Sequence, residues 1–220
     1  MNDGWLDKTE PNINEVNFIG KHVTDFKICY ISNGEIFYKA IFASERKSGF
    51  MDCIPVLVSS GQRNSLLRAG DGYACIKGQF QSHNQYRQNR RRVMLSIFAQ
   101  EVHFMTERVH ELVGNRIYLK GHVCKDTVYR TTLRGLKITD ILVAVNRPTG
   151  GSDYLPCISW GKYAIYASDL SVGDYIWLEG RIQSRDYSKV TSNGLIERRT
   201  AYEVSAFKIG HLDEAGHVQE

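Results

Sequence analysis

The stretch GDYIWLEGRIQSRDY, residues 173–187, decides how this chain folds. Its even positions from 176 on are Ile176, Leu178, Gly180 and Ile182, while the odd positions are Tyr175, Trp177, Glu179, Arg181 and Gln183. A period of two is the mark of a strand with one face toward a core and the other away from it. Glycine inside such a strand has no side chain to pack and marks a bulge or a sharp bend, as closure of a sheet into a barrel requires. The stretch is also written twice. GQFQSHNQY, residues 78–86, repeats GRIQSRDY, residues 180–187, and the strand leading into it places Ala74, Ile76, Gly78 and Phe80 on one face and Lys77, Gln79 and Gln81 on the other.

Working outward, the correspondence covers two whole bodies. NEVNFIGKHV (14–23) matches NRIYLKGHVC (115–124), IFASER (41–46) matches LVAVNR (142–147), and MDCIPV (51–56) matches SDYLPC (152–157). Ala43/Ala144, Arg46/Arg147, Asp52/Asp153 and Pro55/Pro156 are kept. The offset is 101 residues, becoming 102 at Gly78/Gly180 and 107 at Ala99/Ala206, so the insertions fall in one hairpin, 83–90 against 185–197. A spacing this long marks a duplicated domain, since solenoid repeats recur every 20–50 residues. The organisation expected is an N-terminal extension (1–13), a first domain (14–104), a linker of one or two helical turns (105–114), a second domain (115–210) and a short tail (211–220).

Each repeat reads as strand, strand, strand, helix, strand, strand. The helical segments are QRNSLLRAGDG (62–72) and GKYAIYASDL (161–170), and a third strand lies over 153–160. Five strands and one helix around a glycine-bent strand predict an all-β fold with minor helix: two tandem OB-type five-stranded Greek-key barrels. A β-sandwich is the competing architecture, though it ordinarily uses about seven strands.

Composition narrows the function. Hydrophobic residues make up 42% of the 220, enough to build cores. No apolar run approaches the roughly 20 residues of a membrane helix, and the acidic start MNDGWLDKTEPN lacks the apolar segment of a secretory signal. A cytoplasmic, nucleoid-associated protein with no membrane partner is expected. The five cysteines are scattered without a C-x-x-C pair, which speaks against zinc; Cys53, Cys75 and Cys157 lie in apolar runs as small hydrophobes. Each repeat has an excess of five positive charges, and the remaining segments an excess of six negative ones, for a net +4. The chain shows no phosphate-cradling glycine loop, no H-E-x-x-H and no nucleophile elbow. No enzyme, cofactor or metal is expected.

Single strands of nucleic acid are held by a basic groove interleaved with aromatic platforms, because every base has a π-face and every nucleotide a phosphate. The second repeat supplies rings in Tyr154, Trp160 and Tyr187, and cations in Arg147, Lys162, Arg181, Arg185 and Lys189. In order and spacing, NRIYLKGHV, ITDILVAVNR, SDYLPCISWGK, GDYIWLEGRIQSRDY and AYEVSAFKI resemble the successive blocks of the bacterial single-stranded-DNA-binding protein family. The first repeat carries the resemblance more weakly.

That resemblance implies OB folds that bind single-stranded DNA in replication, recombination or repair, with RNA as an open second ligand. It puts Tyr154, Trp160 and Tyr187 on base-stacking positions, and Lys162 and Arg185 on DNA-contacting ones. It also makes Trp177 an assembly contact, in a homodimer of two-domain chains that holds four OB domains. Family members end in an acidic, hydrophobic-tipped arm; HLDEAGHVQE has no such tip, so acidic-tail recruitment of repair enzymes is not expected. The first repeat has Cys53 and Ser59 at the stacking positions, and its hairpin carries the basic run YRQNRRR (86–92), with Arg87 and Arg90 as candidate phosphate contacts. The alternative reading is an OB-fold assembly module of a replication or mobile-element complex, with weak nucleic-acid binding.

Overall fold

The computed structural model describes residues 13–70, 72–87, 90–106, 114–148, 150–190, 193–213 and 215–218, with the side chains of residues 69 and 85–92 outside the description. The segment expected to form a helical linker falls mostly on residues 107–113 and lies outside the described residues.

The first repeat contains β1 (Asn14–His22), β2 (Lys27–Ser32), β3 (Glu35–Glu45), β4 (Met51–Ser59), α1 (Ser60–Ala69), β5 (Tyr73–Arg87) and β6 (Arg90–Met105). The second contains β7 (Asn115–Val123), β8 (Val128–Thr131), β9 (Lys137–Asn146), β10 (Ser152–Trp160), α2 (Lys162–Ser168), β11 (Tyr175–Val190) and β12 (Ile196–His211). Five strands of each repeat close on themselves. In the first, β1 pairs with β3, β3 with β4, β4 with β6 in parallel, β6 with β5, and β5 returns to β1. The second repeats the circuit through β7, β9, β10, β12 and β11. This closure excludes the sandwich. The sixth strand of each repeat, β2 or β8, was not anticipated; it is a short hairpin partner added to the outside of β3 or β9.

The bulges fall where the glycines announce them. Register shifts at Lys77/Gly78 and at Glu179/Gly180. A Cβ on Gly180 would stand 2.6 Å from the Ser205 carbonyl oxygen, and one on Gly78 would collide with that of Phe98. Only glycine lets the two strands of the bend approach this closely. The alternating residues fill the barrels: Phe18, Phe42, Ile54, Ile76, Phe80 and Ile97 in the first, and Leu119, Val143, Leu155, Ile176, Leu178 and Ile182 in the second, are fully buried. Cys75 and Cys157 are buried as small hydrophobes, and burial raises both thiol pKa values above their ordinary range. Cys53 instead sits half-exposed on the outward face of β4. Among the described residues no helix is long and apolar enough to cross a membrane.

The two barrels join through an antiparallel ladder between β1 and β7, in which Val16 pairs with Ile117, Asn14 with Leu119 and Phe18 with Asn115. Val16 and Ile117 are equivalent positions of the two repeats. The ladder is therefore centred on a pseudo-two-fold axis, as an isologous dimer interface would be, but inside one chain.

Candidate nucleic-acid interface

The axis is fastened by the residues kept in both repeats. Arg46 donates Nε–H and Nη2–H to Asp52 at 2.7 and 2.6 Å, and Asp52 in turn accepts the Ser184 backbone N–H at 3.0 Å. Symmetrically, Arg147 donates to Asp153 at 2.8 and 2.5 Å, and Asp153 accepts the Ser82 N–H at 2.6 Å. The serine hydroxyls complete the clasp: Ser184 Oγ accepts the backbone N–H of Cys53 at 2.9 Å, and Ser82 Oγ accepts that of Tyr154 at 3.1 Å. The doubled "QS" of the opening stretch is thus a crossed pair of latches, each serine reaching the other repeat's aspartate. Both carboxylates are buried, and charge-assisted bonds between buried groups are the strong ones.

This changes where two expected DNA contacts sit. Arg147 also donates to the Ser82 carbonyl at 2.8 Å, so its fork is occupied across the junction. The hydrogen bond to Asp153 holds its pKa above the ordinary arginine value. Arg181 donates to Gln183 at 3.2 Å and lies 3.9 Å from Asp52 of the first repeat. Burial, with Arg46 nearby, lowers its pKa. Both arginines are junction residues by geometry. The signal was in the sequence: Arg46/Arg147 and Asp52/Asp153 are retained in a repeat that keeps no stacking ring on β4.

The remaining candidate residues of the second repeat are exposed. Along β10 the core takes Leu155 and Cys157, leaving Tyr154 (53% exposed) and Trp160 (38% exposed) on the opposite face. Six residues of strand put about 20 Å between them. The Trp160 indole donates Nε1–H to Ser205 Oγ on the neighbouring β12 at 3.1 Å, which pins the ring without covering it. Tyr187, 38% exposed, opens the protruding part of β11, where it pairs with Arg199. Lys162 opens α2, with its Nζ 5.0 Å from the Tyr163 ring. Arg185 is exposed and 3.7 Å from Glu203, and Lys189 is exposed near the hairpin tip. Exposed rings beside mobile cations can stack bases and hold phosphates.

In the first repeat, Arg87 and Arg90 face each other in the β5–β6 ladder at the hairpin's end; their side chains lie outside the described residues. Trp177 stands on the outward face of β11, stacked on Tyr118 with centroids 6.2 Å apart, its indole resting over Gly210. Its Nε1 is buried without a hydrogen-bond partner among the described residues.

Comparison with known proteins bears on the family and the fold. Residues 114–212 match the model of the Single-strand binding protein family. The single-stranded DNA-binding protein of Clostridium tetani is 31% identical over 110 residues, covering 46% of this chain and 76% of that protein. That of Halalkalibacterium halodurans is 31% identical over 109 residues, 46% of this chain. The match spans only 62% of the Halalkalibacterium protein's own length, and 48% of that of Single-stranded DNA-binding protein 1 from Staphylococcus aureus. The crystal structure of the single-stranded DNA binding protein from Thermus aquaticus superposes with a TM-score of 0.71 at 18% identity, over 94% of this chain and 96% of that one, so both barrels share its fold. By sequence and by fold, the chain belongs to the single-strand binding protein family.

Proposed function

We propose that this protein binds single-stranded DNA without reading its sequence, protecting it during replication, recombination or repair, and that it does no chemistry on it. The observation that carries the reading is the outward surface of the second repeat, where Tyr154, Trp160 and Tyr187 stand half-exposed beside Lys162, Arg185 and Lys189. The rings give a sequence-tolerant grip, since stacking is worth roughly 1–3 kcal/mol per base. The cations add a grip that salt screens. The binding residues are Tyr154, Trp160, Lys162, Arg185, Tyr187 and Lys189, while Arg147 and Arg181 hold the platform's edge at the junction.

Titration with oligo-dT tests this, following the fluorescence of the three tryptophans. Binding should weaken with salt with a slope of about −0.7 per phosphate neutralised. Trp160→Ala should weaken it by roughly 1–3 kcal/mol with the fold intact. A flat salt response, or full affinity in a folded Trp160→Ala variant, overturns the assignment.

The chain further pairs with a second copy, giving four barrels, through the outward face that carries Tyr118 and Trp177. One chain already joins two barrels along β1 and β7, leaving this aromatic face to meet another chain. Light scattering should then find a particle of about twice the 25.1 kDa chain mass at micromolar concentration; a particle of one chain mass overturns the pairing.

A further inference from the structure

Superposing the two repeats through their registers shows that the first one keeps its rings in different places. Leu57 pairs with Phe98 in the parallel β4–β6 ladder, as Ile158 pairs with Ser205 in β10–β12. The position of Trp160 is thus held by Ser59, and the position of its partner Ser205 by Phe98. Ring and hydroxyl have changed strands. Ser59 serves instead as the N-cap of α1, its Oγ accepting the Gln62 N–H at 3.3 Å while Gln62 Oε1 accepts the Ser59 N–H at 2.9 Å. A helix cap and a stacking ring cannot occupy one side chain.

The displaced ring does not stand alone. Phe98 lies 5.6 Å from Phe37, which opposes Ser59 across β3–β4, and Phe37 stacks on Tyr30 at 4.9 Å with planes 20° apart. The three are half-exposed and line an open groove of about 840 Å³. Leu57, on the outward face of β4 beneath this group, is fully buried, as Ile158 nearly is in the second repeat. The groove's walls add amides (Gln79, Gln81, Gln100) and His83; among the described residues, the Nε2 of His83 has no partner and no carboxylate lines the groove. It ends at Arg147, in the latch where Ser82 bonds the backbone of the half-exposed Tyr154.

We infer that Tyr30, Phe37 and Phe98 form a second base-stacking platform, relocated from β4 to the neighbouring strands, over which a single nucleic-acid strand runs across the junction to Tyr154 and Trp160. The inference rests on the functional reading above. A strand of bases is the occupant because the groove is the symmetry mate of the ring-bearing surface of the second repeat and reaches that repeat at Arg147 and Pro148. Its lining also offers stacking faces and hydrogen-bonding amides, and the nearby Asp153 is already paired with Arg147. The two repeats do not carry their rings at equivalent positions. The surface conserves their neighbourhood instead.

The test uses the full chain with oligo-dT of about 12 and about 35 nucleotides, chosen because one OB fold covers about 4–16. In Tyr30→Ala and Phe98→Ala, affinity for the longer strand should fall about 5- to 150-fold, the equivalent of one lost stacked base. Affinity for the shorter strand, which the second repeat alone can hold, should change little. Phe98→Tyr should restore the longer-strand affinity. Tyr30 lies on a strand paired only to β3, so its removal leaves the barrel circuit intact. Photocrosslinking of bromodeoxyuridine strands to wild-type protein should label peptides containing Tyr30 or Phe98. Unchanged affinity for the longer strand in the Tyr30 variant, or crosslinks confined to the second repeat, overturns the platform alone, as would a groove that takes a protein segment instead. Failure of the wild-type chain to bind either length overturns the functional reading and the platform with it.

Discussion

Position 59 of the first repeat and position 160 of the second are the same place in the same fold, and they do different work. Ser59 stops a strand and caps a ten-residue helix with a reciprocal capping box. Trp160 presents a ring, and the chain turns into the seven-residue α2 through Gly161, at φ 60°, without any side-chain cap. Duplication therefore preserved the barrel and the latch but left each groove to solve its surface separately. The difference teaches that two copies of one fold can gather rings on the same face from different strands. What both repeats must keep is what joins them, and there the residues match one for one.

The latch gives the largest expected effects. Removing one partner of a buried ion pair strands the other and costs about 3–5 kcal/mol. Asp153→Ala and Asp52→Ala should each lose stability in that range, read from urea unfolding. The two are not equal, however. Asp153 faces one guanidinium, whereas Asp52 faces Arg46 and has Arg181 at 3.9 Å. Asp52→Ala should be the worse of the pair; equal losses would mean that Arg181 contributes nothing at the junction. Next come the bulges. Gly180→Ala and Gly78→Ala should cost about 1–3 kcal/mol each through overpacking. Gly78→Ala should sit at the upper end, since its Cβ would meet the Phe98 carbonyl more closely than Gly180's would meet that of Ser205.

At the paired positions, one substitution should read in stability and the other in binding. Ser59→Ala removes a cap and should destabilise by about 1 kcal/mol. Its effect on oligo-dT affinity should be small. Trp160→Ala should do the reverse, losing affinity while α2 stays in place. Should Ser59→Ala weaken binding as much as Trp160→Ala does, Ser59 would be a groove residue and the relocation of the ring to Phe98 would lose its rationale.

The barrel was legible because its signals are local: alternation in 174–184, a glycine at each bulge, a helix between third and fourth strands. β2 and β8 were not legible, because an exposed edge strand has no buried face and hence no alternation to read; every residue of β8 is exposed. For the candidate site, the exposure of Tyr154 and Trp160 could be read from their outward parity on β10, and that of Tyr187 from its place on the hairpin. For Arg147 the only signal was its retention together with Asp153 in both repeats, because an arginine serves a phosphate and a carboxylate with the same fork. Only the position of Asp153 and Ser82 decides between them. The Tyr30–Phe37–Phe98 group was hidden because it gathers rings from three strands, and only the pairing of β2 with β3 and of β4 with β6 brings them together.

The smallest expected effect separates the grooves by pH. Counting back by the repeat offset, His83 occupies the position of Arg185. His83 is half-buried between the Tyr30 ring and the junction, with Arg147 and Asp153 nearby. Burial, reinforced by Arg147 and opposed by Asp153, lowers the His83 pKa below the ordinary value of about 6.5. A base whose folded pKa is lowered takes up its proton more readily when unfolded. The folded state is therefore undisturbed above pH 6.5 or so, and loses stability as pH falls through that value toward the folded pKa. Urea unfolding at about pH 7.5 and about pH 5.5 should show the loss in the wild-type chain and a reduced loss in His83→Gln, which keeps a polar side chain but cannot titrate. The same pair of measurements on Arg185→Gln should leave the pH dependence of the wild type unchanged. An equal pH slope in wild type and His83→Gln would mean that the ring is hydrated in the groove, as freely as the exposed Arg185 is in the other repeat.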